Sequence, residues 1–368
     1  MKIVLLCPKT PRINYGGIEK FVLKIAKYVE KQGDEVEIFC TSKQPKDTFI
    51  GKIKVREFPG FSPNESYYFS LPLLNALKTS DADIIHCLAY SNLLMLEGLI
   101  SKKKNQKFIL SINIGGSPPL FRRILHLFYT PLINLFAKKI DKVLCYTELE
   151  LEEYSKKLKV PKKDFLVIQT GTDIEAIKKV KAGKKKNYII SPGRFVKIKN
   201  FHHLIPSFAK ISKNFPETKL LLIGSGPMEK QLRTMVKQLK IDGKVIFEKP
   251  VPLNRMNEVH KKIKESKLVA LLTDCGSECT MGCEAIACGV PVLFADSKGA
   301  TKSVQTGDAH AVKNPKDHDE VAKKIEAILS NPKKFTPKNP KLLSWAEATP
   351  MTYAVYTEVF KQINKKSE

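Results

Sequence analysis

Short apolar runs alternate along this chain with longer stretches whose apolar positions recur at helical spacing. That alternation is the pattern of parallel strands joined by crossover helices, because strands buried on both faces read as continuous apolar blocks. In the first half the blocks are KIVLLC from Lys2, VEIFCT from Val36, IKVREF from Ile53, DIIHCL from Asp83, FILSIN from Phe108, KVLCYT from Lys142 and FLVIQT from Phe165. In the second half they are YIIS from Tyr188, KLLLIG from Lys219, KVIFE from Lys244, LVALLT from Leu268, PVLFAD from Pro291 and HAV from His310. Between the two sets the polar, glycine-broken run KKVKAGKKKNY predicts an interdomain linker at residues 175–187. The tail carries Trp345, Tyr353, Tyr356 and Phe360 at helical spacing and predicts a packed terminal helix.

A length of 368 residues suits two such domains. No tract approaches the roughly 20 apolar residues of a membrane span, and the run before Pro8 reads as a first buried strand. The expected location is cytoplasmic. The formal net charge of +26 is scattered through nearly every predicted helix, without a nucleic-acid-binding signature, so it reads as a lysine-rich solvated surface. Cys7, Cys40, Cys87 and Cys145 lie in apolar blocks and suit reduced core thiols. The run Cys275, Cys279, Cys283 and Cys288 lacks a CxxC knuckle and also reads as core thiols rather than a metal cluster.

Candidate chemistry concentrates past the midpoint. SPGRFVKIKN places Arg194 and Lys199 after a buried strand, and LLLIGSGP follows with Gly224 and Gly226 in a strand-turn. A planar guanidinium fork and an ammonium five residues later suit phosphate oxygens, and glycines admit a ligand close to the backbone. Glu284 in CEAIACG can accept hydrogen bonds from ribose hydroxyls. Near the start, Tyr15-Gly16-Gly17-Ile18-Glu19 follows the first strand and opens a helix, which suits either a phosphate-facing turn or a plain one. Asp81-Ala-Asp83 has the form of a metal-binding DxD but precedes a strand, and reads as a cap there, so no metal is expected.

In order and spacing these motifs resemble the retaining family 4 glycosyltransferases of the GT-B fold, over nearly the whole chain. The resemblance implies an α/β protein with two Rossmann-like domains facing across a cleft: an acceptor-side domain at 1–174, a donor domain at 188–344, and a helix at 345–368 crossing back onto the first domain. It implies that Arg194 and Lys199 hold the diphosphate of a nucleotide sugar, Glu284 its ribose, and the Gly16-Gly17 loop closes over the phosphates. Gly224, Gly226, Val251, Thr280 and Met281 then belong to the donor site, with the Phe247–Val251 stretch beside the base. The donor is a substrate; no cofactor is implied.

Two departures stand out. The family's E-x7-E spacing lands on Gly276, so the earlier carboxylate shifts to Glu278, which either meets the donor sugar or marks a lost contact. Asn113 stands where relatives carry a histidine; an amide can bond a sugar hydroxyl but exchanges no proton near neutral pH. Front-face displacement, in which the leaving phosphate takes the acceptor proton, needs no such base. His86 either lines the sugar side of the cleft or is a satisfied core histidine. Thr170-Gly171-Thr172-Asp173 matches the family's hinge turn, and Gly299-Ala300-Thr301 a glycine loop whose usual glutamate is Ser303.

The expected function is hexosyl transfer to a glycan or lipid-linked acceptor. The alternative is a catalytically weakened scaffold that binds nucleotide in a glycan-assembly complex. The apolar, basic stretch from Leu120 to Ile140, with Arg122, Arg123, Lys138 and Lys139, is either a packed helix or a peripheral contact with anionic membrane.

Overall fold

The computed structural model describes residues 1–12, 16–62, 68–88, 90, 92–112, 120–273, 279–296 and 301–364, without the side chains of 120–126, 301 and 364. The chain forms two parallel-sheet units. Described residues of the first fall within Met1–Ile114, Pro118–Gly171 and Trp345–Glu368, and those of the second within Thr172–Ser344.

The first unit holds β1 (Lys2–Lys9), β2 (Glu35–Ser42), β3 (Thr48–Ile50), β4 (Ile53–Pro59), β5 (Ile84–Cys87), β6 (Lys107–Ser111), β7 (Lys142–Cys145) and β8 (Phe165–Val167), in the order β3-β4-β2-β1-β5-β6-β7-β8. Each apolar block of the first half is a strand. The exception to expectation is β3, a short strand antiparallel to β4 and joined to it through Gly51 at φ +64°. Helices α1 (Gly17–Lys31), α2 (Leu71–Thr79), α3 (Leu93–Ser101), α4 (Leu120–Leu135) and α5 (Glu148–Lys157) connect them. One face of the sheet is sealed by a core that includes Leu6, Phe39, Leu77, Met95, Phe108 and Tyr129.

The second unit opens with α6 (Ile174–Lys179) and continues through β9 (Tyr188–Pro192), α7 (Phe201–Ile211), β10 (Lys219–Ile223), α8 (Glu229–Gln238), β11 (Val245–Glu248), α9 (Met256–Glu265), β12 (Leu268–Leu271), α10 (Thr280–Ala287), β13 (Val292–Ala295), α11 (Thr301–Gln305), β14 (His310–Val312), α12 (His318–Ser330) and α13 (Pro332–Phe335). Its strand order is β11-β10-β9-β12-β13-β14, parallel throughout. The stretch expected as a free linker is instead bound into this unit. Lys264 Nζ donates to the carbonyls of Ile177 (2.7 Å) and Val180 (2.9 Å), and Gly183 N donates to Glu265 Oε1 (3.0 Å). Backbone groups that read as solvated tether find partners on α9: two carbonyls accept from Lys264 and one N–H donates to Glu265.

The terminal helix α14 (Trp345–Asn364) belongs to the first unit. Trp345 packs edge-on to Phe21 at 6.0 Å, and Tyr353 Oη donates to Asp34 Oδ2. Among the described residues no helix is long and apolar enough to cross a membrane.

Candidate functional site

In the second unit, chain connections diverge at β9: β10 lies on one side of it and β12 on the other. Open α/β sheets bind ligands outside the carboxyl ends of their strands at such a switch point. Three predicted groups lie on the elements that surround it.

The turn after β9 carries Arg194, exposed, and Lys199, half-buried. Neither side chain has a hydrogen-bond or ion-pair partner among the described residues. The Lys199 stem runs beside Gly193, whose added Cβ would lie 3.8 Å from its Cδ. Asn200 then takes the left-handed conformation at φ 55° that starts α7, and its Nδ2 donates to the Leu272 carbonyl (2.7 Å) beyond β12. Asparagine tolerates that conformation better than most side-chain-bearing residues. The lysine is thereby tied to both strands of the switch point.

The turn after β10 clasps the turn after β9 through backbone. Gly193 N donates to Ile223 O (2.9 Å), Phe195 N to Ser225 O (2.8 Å) and Met228 N to Phe195 O (3.0 Å). Glycine is required twice. A Cβ on Gly224 would stand 1.9 Å from the Gly193 carbonyl oxygen, and one on Gly226, at φ +159°, 2.5 Å from the Phe195 carbonyl oxygen. Phe195, fully buried, meets Phe201 and Phe247 edge-on and fixes this pair of turns to the core. The Arg233 guanidinium lies 4.3 Å from the Phe247 ring centroid, so that ring is already stacked by protein on one face. Val251 is half-buried against a core that includes Ile223, Val259 and Leu271.

Helix α10 follows β12. Thr280 and Met281 form its first turn, and Cys279 stands at its N-cap. Glu284 points inward, and its Oε2 lies 2.7 Å from Nε2 of His260 on α9, both side chains being almost fully buried. The sequence gives no sign of that partner, which is 24 residues away. Glu278, Gly276, Gly299 and Cys275 lie outside the described residues. Cys279 and Cys283 are buried, as core thiols are.

In the first unit, Gly16 caps α1 and Gly17 begins it. A Cβ on Gly16 would stand 2.3 Å from Glu19 Oε2, so a carboxylate already lies over this helix start. Just after β1, Arg12 Nε and Nη2 donate to Glu57 Oε1 (2.9 Å) and Oε2 (3.0 Å), while Thr10 Oγ1 donates to the same carboxylate. Burial opposes ionisation of Glu57, yet these donors hold its carboxyl below the ordinary value.

His86 does not line a sugar site. It is fully buried, with Nδ1 2.6 Å from Tyr356 Oη and Nε2 2.8 Å from Ser111 Oγ. Burial pushes its pKa down to about 3, so it is a neutral core histidine rather than an acid–base group. Asn113 lies outside the described residues. Asp81 pairs with Lys2 Nζ (2.7 Å), and Asp83 Oδ2 accepts from Lys2 N (2.7 Å), which commits both carboxylates to the amino-terminal edge of β1 and β5.

Helix α4 turns Tyr129 and Ile133 into the core, Tyr129 Oη donating to the carbonyls of Tyr90 and Asn92. Its other face leaves Phe128 73% and Leu135 77% exposed, with Leu127 and Leu132 beside them in sequence. Lys138 is exposed, whereas Lys139 Nζ donates to Leu99 O (2.8 Å).

Comparison with known proteins gives two family matches. The model described as "Glycosyl transferases group 1" matches residues 173–341, and that of "Glycosyltransferase Family 4" matches residues 15–176. An uncharacterized glycosyltransferase of Haemophilus influenzae is 22% identical over 330 residues, covering 87% of this chain and 88% of that protein. Sucrose-phosphate synthase from Thermosynechococcus elongatus superposes with TM-score 0.81 at 17% identity, over 98% of this chain and 99% of that one. HepE of Anabaena, solved in complex with UDP and glucose, gives TM-score 0.72 at 17% identity, over 100% and 98%.

Proposed function

From the premise that the chain belongs to the family 4 glycosyltransferases and is a hexosyltransferase of the GT-B fold, we propose that it is a retaining, metal-independent enzyme. It moves a hexosyl group from a nucleotide diphosphate sugar to a glycan or lipid-linked acceptor. The observation that carries this reading is the pair Arg194 and Lys199, two cations with no described protein partner on the turn that ends the central strand β9.

A half-buried cation ordinarily finds a carboxylate; Lys199, unengaged among the described residues and near the exposed Arg194 in the same turn at a switch point, suits a diphosphate instead. The two charges stabilise the leaving nucleoside diphosphate as negative charge builds on it, the task a divalent ion performs in DxD enzymes. The acceptor hydroxyl oxygen bonds to the anomeric carbon on the face the diphosphate leaves. The carbon–oxygen bond to phosphate breaks with its electron pair going to the phosphate oxygen, which takes the acceptor proton. Glu284 accepts the ribose hydroxyls, the Gly224 and Gly226 turn admits the phosphates, and Thr280 and Met281 present the start of α10. Glu278 is assigned to the donor sugar and Asn113 to the acceptor side. HepE, in complex with UDP and glucose, supports a nucleotide-sugar donor.

The exposed apolar face of α4, with Lys138 following it, supports a peripheral contact of a cytoplasmic enzyme with anionic membrane, where a lipid-linked acceptor would be met. Flotation with anionic liposomes at low salt tests this. Absence of the protein from the floated fraction removes the membrane contact and leaves the transfer reading standing.

The central test is thermal shift with UDP, GDP, ADP and their sugar conjugates, beside Arg194→Ala. A ligand at about 100 times its dissociation constant adds roughly 2.7 kcal/mol, a readable shift. Arg194→Ala is expected to lower turnover by at least about 10²-fold, as loss of a transition-state charge contact does. Turnover within a few-fold of wild type would remove the assignment. Nucleotide binding without sugar transfer would favour the scaffold alternative.

A further inference from the structure

We propose that His260, a residue on α9 outside the cation cluster, is the positioning residue that fixes Glu284 for ribose recognition. The inference rests on the ribose reading of Glu284. Its basis is the 2.7 Å contact between His260 Nε2 and Glu284 Oε2, with side chains only 3% and 4% exposed.

A carboxylate withdrawn this far from water needs hydrogen-bond donors to remain ionised. An ionised carboxylate only accepts, so the imidazole donates its Nε2 proton to Oε2. That bond does two things. It compensates part of the buried charge, and it constrains the rotation of the carboxylate about its terminal torsion, an intrinsically broad one. A ribose diol is read by direction, so a carboxylate free to turn would accept its two hydroxyls poorly. Orienting a ligand-binding group through a buried partner is familiar from metal sites, where losing the outer partner costs about 10- to 100-fold in affinity.

Both ends of the contact stand on fixed backbone within the second unit. Helix α10 lies so close to β13 that a Cβ on Gly282 would stand 2.2 Å from Phe294 Cζ. Neither Glu284 nor its helix can retreat without losing that packing. On α9, His260 sits between Val259 and Ile263, which are both in the core, and its carbonyl accepts from Cys288 Sγ at the end of α10. The two helices therefore meet through the His260–Glu284 contact and the Cys288–His260 bond, and the geometry of that meeting is set by core packing rather than by the ligand.

The readout is preference for ribose over deoxyribose. Titration calorimetry on the full chain compares UDP with 2′-deoxy-UDP, or GDP or ADP with its 2′-deoxy form where thermal shift selects that nucleotide. His260→Leu keeps apolar volume but removes the donor; His260→Gln keeps a donor N–H. We expect His260→Leu to lower affinity for the ribonucleotide about tenfold more than affinity for its 2′-deoxy form, the effect of one lost hydrogen bond to a charged group. His260→Gln is expected to retain the preference, and Glu284→Ala to abolish it.

A ribose preference retained in His260→Leu but lost in Glu284→Ala would overturn the positioning role alone. So would loss in His260→Gln with 2′-deoxy binding intact, a result that stands even if His260→Leu fails to fold. No ribose preference in the wild-type chain would overturn the reading of Glu284 and, with it, this inference.

Discussion

A Cβ placed on Gly224 would stand 1.9 Å from the carbonyl oxygen of Gly193, so the turns after β9 and β10 can touch only because residue 224 has no side chain. The contact matters because the same pair of turns presents Arg194. Gly224→Ala must push the turns apart, break the Gly193-to-Ile223 bond (2.9 Å), or both. Overpacking of this kind costs about 1–3 kcal/mol, and more where backbone must move. The expected outcome is a lowered melting temperature together with loss of nucleotide binding at temperatures where circular dichroism still shows a folded chain. Binding at wild-type strength would mean that the clasp does not position the cations.

Asn200 offers a finer probe of the same placement. It combines a left-handed backbone with a 2.7 Å bond from Nδ2 to Leu272 O. Asn200→Gly keeps the conformation and loses the bond; Asn200→Ala loses the bond and adds strain of about 1–2 kcal/mol. Alanine should therefore be less stable than glycine, in spite of alanine's better helix propensity. Chemical denaturation of both variants checks the order. Alanine at or above glycine would show that the backbone at this position relaxes without cost.

The parts of this fold that were legible in the sequence are those set by local pattern. Strands buried on both faces read as unbroken apolar blocks, which is why β1 and β10 could be placed from KIVLLC and KLLLIG alone. Strand β3 was not visible, because three residues with Phe49 exposed carry no periodicity. The lysine-rich stretch 175–187 misled for a related reason: composition reports polarity, but not that Lys264 would reach back to cap α6. The cations and glycines of the site were legible as motifs. Their supports were not, since His260 and Glu284, Arg12 and Glu57, and His86 and Tyr356 meet only in the folded chain, the last across 270 residues. A histidine at a strand end reads the same whether it faces a ligand or a tyrosine.

That last pair predicts how the terminal helix is held. Tyr356 is fully buried and its hydroxyl lies 2.6 Å from His86 Nδ1. Tyr356→Phe removes the partner and leaves a buried ring nitrogen unsatisfied, at a cost of about 1–3 kcal/mol. Stability measured by denaturant should fall by that amount, with nucleotide affinity unchanged, because the pair serves the first unit's core. An unchanged midpoint would mean that water replaces the hydroxyl.

Glu97 gives a pH dependence of definite sign. It is buried on α3, with Oε1 accepting from Ser70 N (2.7 Å), while Oε2 has no partner among the described residues. Burial raises its pKa from 4.5 to about 7, only partly offset by the Ser70 bond. The folded chain therefore keeps a proton that the unfolded chain has released between those values. Stability contributed by this group is complete below pH about 4.5, falls as pH rises, and is lost above about 7. Glu97→Gln stays neutral throughout. The melting temperature of the variant relative to wild type should then rise steadily between those two pH values and level off above them. Parallel curves across that range would show that Glu97 is ionised in the folded chain, and that a donor or water reaches Oε2.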